Sequence, residues 1–158
     1  MFRELVRKKQ RLSDAACIEL LKRTLRGVLS VCGDGGYPYG VPLNHFYCEA
    51  TQKLYFHSGK TGHKVDALAR CDKATFCVID DGVRTDGDWA LNFQSVIAFG
   101  RVRPVTDYAA AMDAVRALSQ KFTDDTAYIE RDIEKNGRAT LVYEMTIEHL
   151  CGKRVNES

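Results

Sequence analysis

The densest run of chemically able side chains lies between His57 and Lys64, where His57, Ser58, Lys60, Thr61, His63 and Lys64 supply imidazoles, hydroxyls and ammonium groups. The apolar spacing that follows predicts a short helix over 61–70, with Val65, Leu68 and Ala69 turned inward. A helix start exposes N–H groups and the positive end of the helix dipole, so cations and hydroxyls gathered there favour a phosphate. An ordinary polar turn with a helix cap accounts for the same residues, and both readings stay open. His57, at the end of a strand predicted over 53–57, is either a hydrogen-bonded structural residue or a group that touches a ligand.

Other arrangements are excluded by spacing. Residues 54–61 end like a P-loop, but Leu54 stands where G-x-x-x-x-G-K-S/T requires glycine. Residues 33–38 begin like G-x-G-x-x-G, yet Pro38 closes the run and a strand follows where a helix is needed. His45, His57 and His63 lack metal-ligand spacing and no C-x-x-C occurs, so no metal site is predicted. Cys48, Cys71 and Cys77 read as small buried apolar groups.

At 158 residues, the scaffold for these groups is expected to be one domain. A net charge of +2 is too small to imply nucleic acid or a membrane surface as a partner. Met1–Arg11 is charged where a signal peptide is apolar, and no run approaches the roughly 18–20 residues of a membrane span. The six cysteines, scattered through apolar stretches, then fit a cytoplasmic protein with reduced thiols.

Ser13 is a natural cap for a helix over 14–25 that turns Cys17, Leu20, Leu21 and Leu25 inward and stops at Gly27. A strand over 28–32, the Gly33–Gly36 turn and a returning strand over 37–48 predict a hairpin. Pro38 and Pro42 assign the returning strand to a sheet edge or to interrupted pairing. Strands over 74–79, 89–105 and 139–151 are expected, with a polar loop over 80–88 and helices from about 107 to 122 and 125 to 135. Along 89–105, Trp89, Leu91, Phe93, Ile97 and Phe99 share one face and smaller or polar residues the other, as in a barrel wall. This order argues for a small, mainly β, antiparallel barrel with flanking helices.

Gly35–Asn44, Leu54–Lys60 with Gly62, His63, Lys64 and Leu68, and Ser95-Val96 through Gly100-Arg101-Val102 together resemble a known family. It is the flavin-binding split-barrel, pyridoxamine 5'-phosphate oxidase-like superfamily, and the nearest branch is the Nim-type 5-nitroimidazole resistance proteins. The resemblance runs from about residue 10 to Lys153. It implies a six-stranded antiparallel split β-barrel, a homodimer, and a flavin in each of two interface clefts, FMN first, with FAD or a deazaflavin as alternatives. It places Val41, Pro42, Leu43 and Asn44 against the flavin ring, and His57, Ser58, Gly59, Lys60, His63 and Lys64 at the ring edge and phosphate. Gln94 and Ser95 are implied to reach the cofactor from the other subunit, and His57 to tune the flavin or touch substrate.

The implied activity is an oxidoreductase in which reduced flavin, recharged by NAD(P)H, passes electrons to a small electron-poor acceptor such as a nitroaromatic. The alternatives are a flavin carrier or redox sensor without turnover, and a haem-binding barrel using His45, His57, His63 or His149. Gly152–Ser158 lacks the arginine- and histidine-bearing segment of true pyridoxamine phosphate oxidases, so vitamin B6 oxidation is not expected.

Overall fold

In the computed structural model, which describes residues 1–156, the chain opens into α1 (Asp14–Arg23). Ser13 caps it by accepting from the Ala16 N–H at 3.2 Å. The helix ends before Leu25 because Thr24 turns extended and its hydroxyl donates back to the Leu20 carbonyl at 2.8 Å. Leu25 is left exposed, and Gly27 belongs to β1 (Arg26–Cys32) rather than stopping the helix.

β2 (Pro38–Asn44) pairs with the whole of β1 without interruption. The Gly33 N–H donates to the Tyr37 carbonyl at 3.0 Å, which sets the alternation along the hairpin. Tyr39, Val41 and Leu43 bond to β1, whereas Pro38, Gly40, Pro42 and Asn44 direct their backbone groups to the free edge. Both prolines therefore fall where a missing N–H costs no ladder bond.

The chain continues as β3 (Phe46–Cys48), β4 (Lys53–Gly59), α2 (His63–Arg70), β5 (Lys73–Ile79), β6 (Val83–Arg84) and β7 (Leu91–Pro104). It closes with α3 (Tyr108–Ser119), α4 (Thr126–Asn136) and β8 (Thr140–Asn156). The antiparallel sheet runs β2-β1-β5-β7-β8-β4-β3, with the two-residue β6 branching from β7. Seven strands lie on this path rather than the expected six, because the returning strand of 37–48 is cut at His45. Its halves form opposite ends of the path although one residue joins them, so the sheet curls until its two edges meet. β2 touches β4 across the resulting split.

Leu29, Leu54, Phe56, Phe76, Val78 and Met145 fill the barrel, and Cys17, Leu20 and Leu21 of α1 pack onto the same core. A second cluster forms where Met112 of α3 and Ile129 and Ile133 of α4 cover Val142 on the outer face of β8. In α2 the buried residues are Ala67 and Leu68, while Ala69 is exposed. β7 turns its smaller residues inward: Val96, Ala98, Gly100 and Val102 are buried, while Ile97 and Phe99 lie partly exposed outside. Trp89 precedes the strand and is exposed. The β7–β8 register slips between Phe99 and Gly100, and a Cβ at Gly100 would collide with the Thr146 carbonyl. Strong curvature at a bulge therefore demands glycine there.

The crossing at His45 is held from two sides. Its fully buried ring donates from Nε2 to the Leu21 carbonyl at 2.7 Å and tilts against Phe76 at 4.8 Å. Lys121, just beyond α3, donates to the His45 carbonyl at 2.9 Å and the Thr24 carbonyl at 2.7 Å. Burial, reinforced by the Lys121 charge, pushes the His45 pKa down to about 4. Burial also lowers Lys121, to about 8.

Because His45 binds its proton less readily folded than unfolded, its contribution is complete above pH 6.5 and is lost as pH falls toward 4. The loss should reach about 3 kcal/mol. An NMR titration should find this ring neutral at pH 5, and a midpoint near 6.5 would contradict the buried crossing. Gly100→Ala should lower unfolding free energy in urea by about 1–3 kcal/mol, the usual cost of overpacking.

Candidate functional site

β4 alternates Leu54 and Phe56 into the core with Tyr55 and His57 outward. The strand then runs to Gly59, and Gly62 turns the chain into α2 with φ at 124°, a region that side-chain-bearing residues avoid. Gly62 offers no capping side chain, so the first N–H groups of α2 carry none. Lys60 and Lys64 form no ion pair among the described residues. Ser58 donates its hydroxyl to the Gly59 carbonyl at 2.7 Å and keeps its lone pairs for a further donor.

His57 is exposed on one side, yet enough of its ring is sunk for desolvation to hold its pKa below the ordinary 6.5. Asp132 of α4 opposes this shift and Lys64 of α2 adds to it. At neutral pH the imidazole is therefore uncharged, with one donor and one acceptor. The neutral imidazole, the Lys64 ammonium that acts on it and the uncapped helix start, with Lys60 just ahead of them in the chain, are groups able to hold an anion.

His63 stands apart from those groups. Its Nε2 accepts from the Asp34 N–H at 3.2 Å, and its ring stacks on Tyr39 at 4.1 Å with 26° between planes. The Asp34 carboxylate in turn pairs with Arg70, at the other end of α2. The helix is thus clipped over the Gly33–Gly36 turn at both ends, with His63 as one clip.

On β2, Val41 and Leu43 pack toward the core while Pro42 and Asn44 face out. Asn44 Oδ1 accepts from Arg26 Nε at 2.9 Å. Arg26 lines a cleft of about 530 Å³ between residues 23–26 and 79–83. The Arg23–Asp80 ion pair, at 2.7 Å, joins its walls. Asp80 Oδ1 also accepts from the Gln94 N–H at 2.8 Å, which ties β7 to the same cleft.

Gln94 and Ser95 are remote from His57 within one chain. Ser95 pairs with Lys153 and His57 with Val142, on the order of 35 Å apart along β8. His45 is sealed in the core, and His149 is stacked beneath Phe2 at 4.7 Å. A separate cavity of about 300 Å³ is lined by His149 and by none of the residues placed at the flavin. Arg26, Asp34 and Tyr39 are the contributors that motif reading missed. The observed hairpin register places Arg26 opposite Asn44, two residues before the strand predicted over 28–32.

The family described as pyridoxamine 5'-phosphate oxidase matches residues 13–154. No curated protein matches the chain. Among solved structures, a candidate 5-nitroimidazole antibiotic resistance protein of Bacteroides thetaiotaomicron VPI-5482 shares 18% identity over 92% of this chain and 87% of its own, with a TM-score of 0.77. An FAD-binding protein of Mesorhizobium loti shares 20% identity, covering 92% of this chain and 97% of its own, with a TM-score of 0.65. The flavocytochrome Anf3 of Azotobacter vinelandii shares 21% identity, covering 95% of this chain and 72% of its own, with a TM-score of 0.77. At these identities the likeness is one of fold.

His63→Ala removes a ring stack and the acceptor for a backbone N–H, and should lower stability by about 1–2 kcal/mol without any ligand present. An unchanged urea midpoint would show that His63 does not clip the hairpin.

Proposed function

Since the chain belongs to the pyridoxamine 5'-phosphate oxidase family over residues 13–154, we propose that it binds a flavin, FMN before FAD, and delivers electrons to a small electron-poor acceptor such as a nitroaromatic. The observation that carries this reading is the anion-holding set of Lys60 and Lys64, the uncapped start of α2 and neutral His57. A flavin, when bound, supplies the hydride and electron chemistry, and the protein supplies position and environment.

The residues present fit that group. Lys60 and Lys64 offset the phosphate charge, and the first N–H groups of α2 and the Ser58 hydroxyl add hydrogen bonds. The free edge of β2 offers the N–H groups of Gly40 and Asn44 and the carbonyls of Pro38, Gly40, Pro42 and Asn44 to a polar ring edge. Val41 and Leu43 hold that strand to the core, and Arg26 fixes the Asn44 side chain. His57, being neutral, can make one directed hydrogen bond at the ring or acceptor without adding charge.

A homodimer belongs to the same reading. Val28 and Ile79 are exposed on the outer sheet face, with Ile97 and Phe99 partly exposed, giving a second copy an apolar surface. Gln94 and Ser95, eleven or more residues of β8 away from His57 in their own chain, reach the cofactor from the second copy in this reading.

Titrating the purified protein with FMN should quench flavin fluorescence, and the complex should keep the two visible bands of oxidised flavin after dialysis. Lys64→Ala should weaken FMN binding about 10- to 150-fold, the range for one lost charge-assisted hydrogen bond of about 1.5–3 kcal/mol. Unchanged affinity would remove Lys64 from the phosphate site. NAD(P)H oxidation that depends on a nitroaromatic acceptor supports turnover, whereas tight flavin binding with no such oxidation favours a carrier or sensor.

A further inference from the structure

Cys32 and Cys71, far apart in sequence, meet where α2 ends against the β1–β2 hairpin. The β1–β5 register pairs Val31 with Ala74, so the next position sets Lys73 opposite Cys32. Cys71 lies two residues before Lys73 and is itself extended, with φ at −148° and ψ at 115°. It is therefore a diagonal neighbour of Cys32 on the same face. The two thiols are near enough for Cys71 to act on the ionisation of Cys32. Contacts flank this pair: Arg70 binds the Asp34 carboxylate, and His63 accepts from the Asp34 N–H. Cys32 is exposed and Cys71 half-buried, so a small reagent can reach the first sulfur and the second can follow it.

We propose that Cys32 and Cys71 form a reversible dithiol–disulfide site, oxidised by exchange with a low-molecular-weight disulfide such as oxidised glutathione. The Cys32 thiolate attacks one sulfur of the small disulfide, and a sulfur–sulfur bond forms as the first small thiolate leaves. The Cys71 thiolate then attacks Cys32 Sγ, which closes the protein disulfide and expels the second small thiolate. The protein loses two electrons and two protons, and the reagent gains both as two free thiols. The neighbouring Cys71 thiol and then desolvation hold the Cys32 pKa above the ordinary thiol value, and the nearby Lys73 charge offsets them only in part. Exchange therefore quickens as pH rises.

The remaining cysteines behave differently. Cys17 is buried, with desolvation raising its pKa to about 11, and Cys77 is likewise raised by burial. Cys151 acts on Cys17, but the Cys17 sulfur is sealed from solvent, and burial alone shifts Cys77. The new bond would bracket β2, β3, β4 and the whole of α2, the region that holds every candidate residue from Val41 to Lys64.

The test treats the reduced full-length protein with oxidised glutathione, blocks residual thiols, and maps peptides by mass spectrometry without reduction. The expected product carries no glutathione, is lighter by two hydrogens, and links the Cys32 peptide to the Cys71 peptide, with reversal by dithiothreitol. Cys71→Ser should leave glutathione trapped on Cys32, and Cys32→Ser should abolish the link. Stable glutathionylation of wild-type Cys32, a link between other cysteines, or two unmodified thiols after treatment would each overturn the proposal.

Discussion

At His45 a sheet with two open edges is obliged to become a barrel, because the strands at its opposite ends, β2 and β3, are separated by that residue alone. Backbone at such a crossing leaves the ladder, and its polar groups need other partners inside the protein. Lys121 meets the need by donating to the carbonyls of both Thr24 and His45. The imidazole occupies the junction and bonds to α1, which couples the helix cap to the closure. The arrangement carries a cost, since Nδ1 of His45 is buried without a partner among the described residues, a deficit on the order of 1–3 kcal/mol. Closure of the whole barrel outweighs it.

The split decides where chemistry is possible. A fully closed barrel would pair both sides of β2, whereas here its outer edge stays free beside β4 and presents backbone donors and acceptors outward. β4, which touches β2, ends near the neutral His57 imidazole, and Lys64 of α2 acts on that ring. Asp34 steadies the arrangement from the hairpin by gripping α2 through both His63 and Arg70. Strand and helix elements therefore hold most of the candidate residues, the support that a precise binding site requires.

Much of the architecture was legible because local signals agree with it. Ser13, Asp107 and Asp125 each cap a helix through a side-chain oxygen, as their residue types favour. Pro38 and Pro42 marked an edge strand, and the alternation along β7 marked a barrel wall. The misreadings have a common cause in tertiary packing. His45 interrupts a continuous strand pattern without glycine or proline because the crossing is stabilised by Leu21 and Lys121, both distant in sequence. The alternation along β7 left open which face is buried, and only the close approach of β8 at Gly100 shows why that position of the small, inward face is glycine. In the candidate site, His57 and Lys64 were visible from their types and spacing. The engagement of His63 by the hairpin was not, since it depends on a contact 29 residues away.

The position of β8 also shapes how the molecule comes into being. It lies between β7 and β4, and residues 140–146 pair with 53–59. Until it emerges from the ribosome, the nascent chain holds two partial sheets, β2-β1-β5-β7 and β3-β4, with the facing edges of β7 and β4 unpaired. Contacts of such long sequence separation form slowly, after their loop-closure entropy has been met. During translation of α3 and α4, those two edges are the exposed surfaces that a chaperone must shield from the same edges of neighbouring nascent chains.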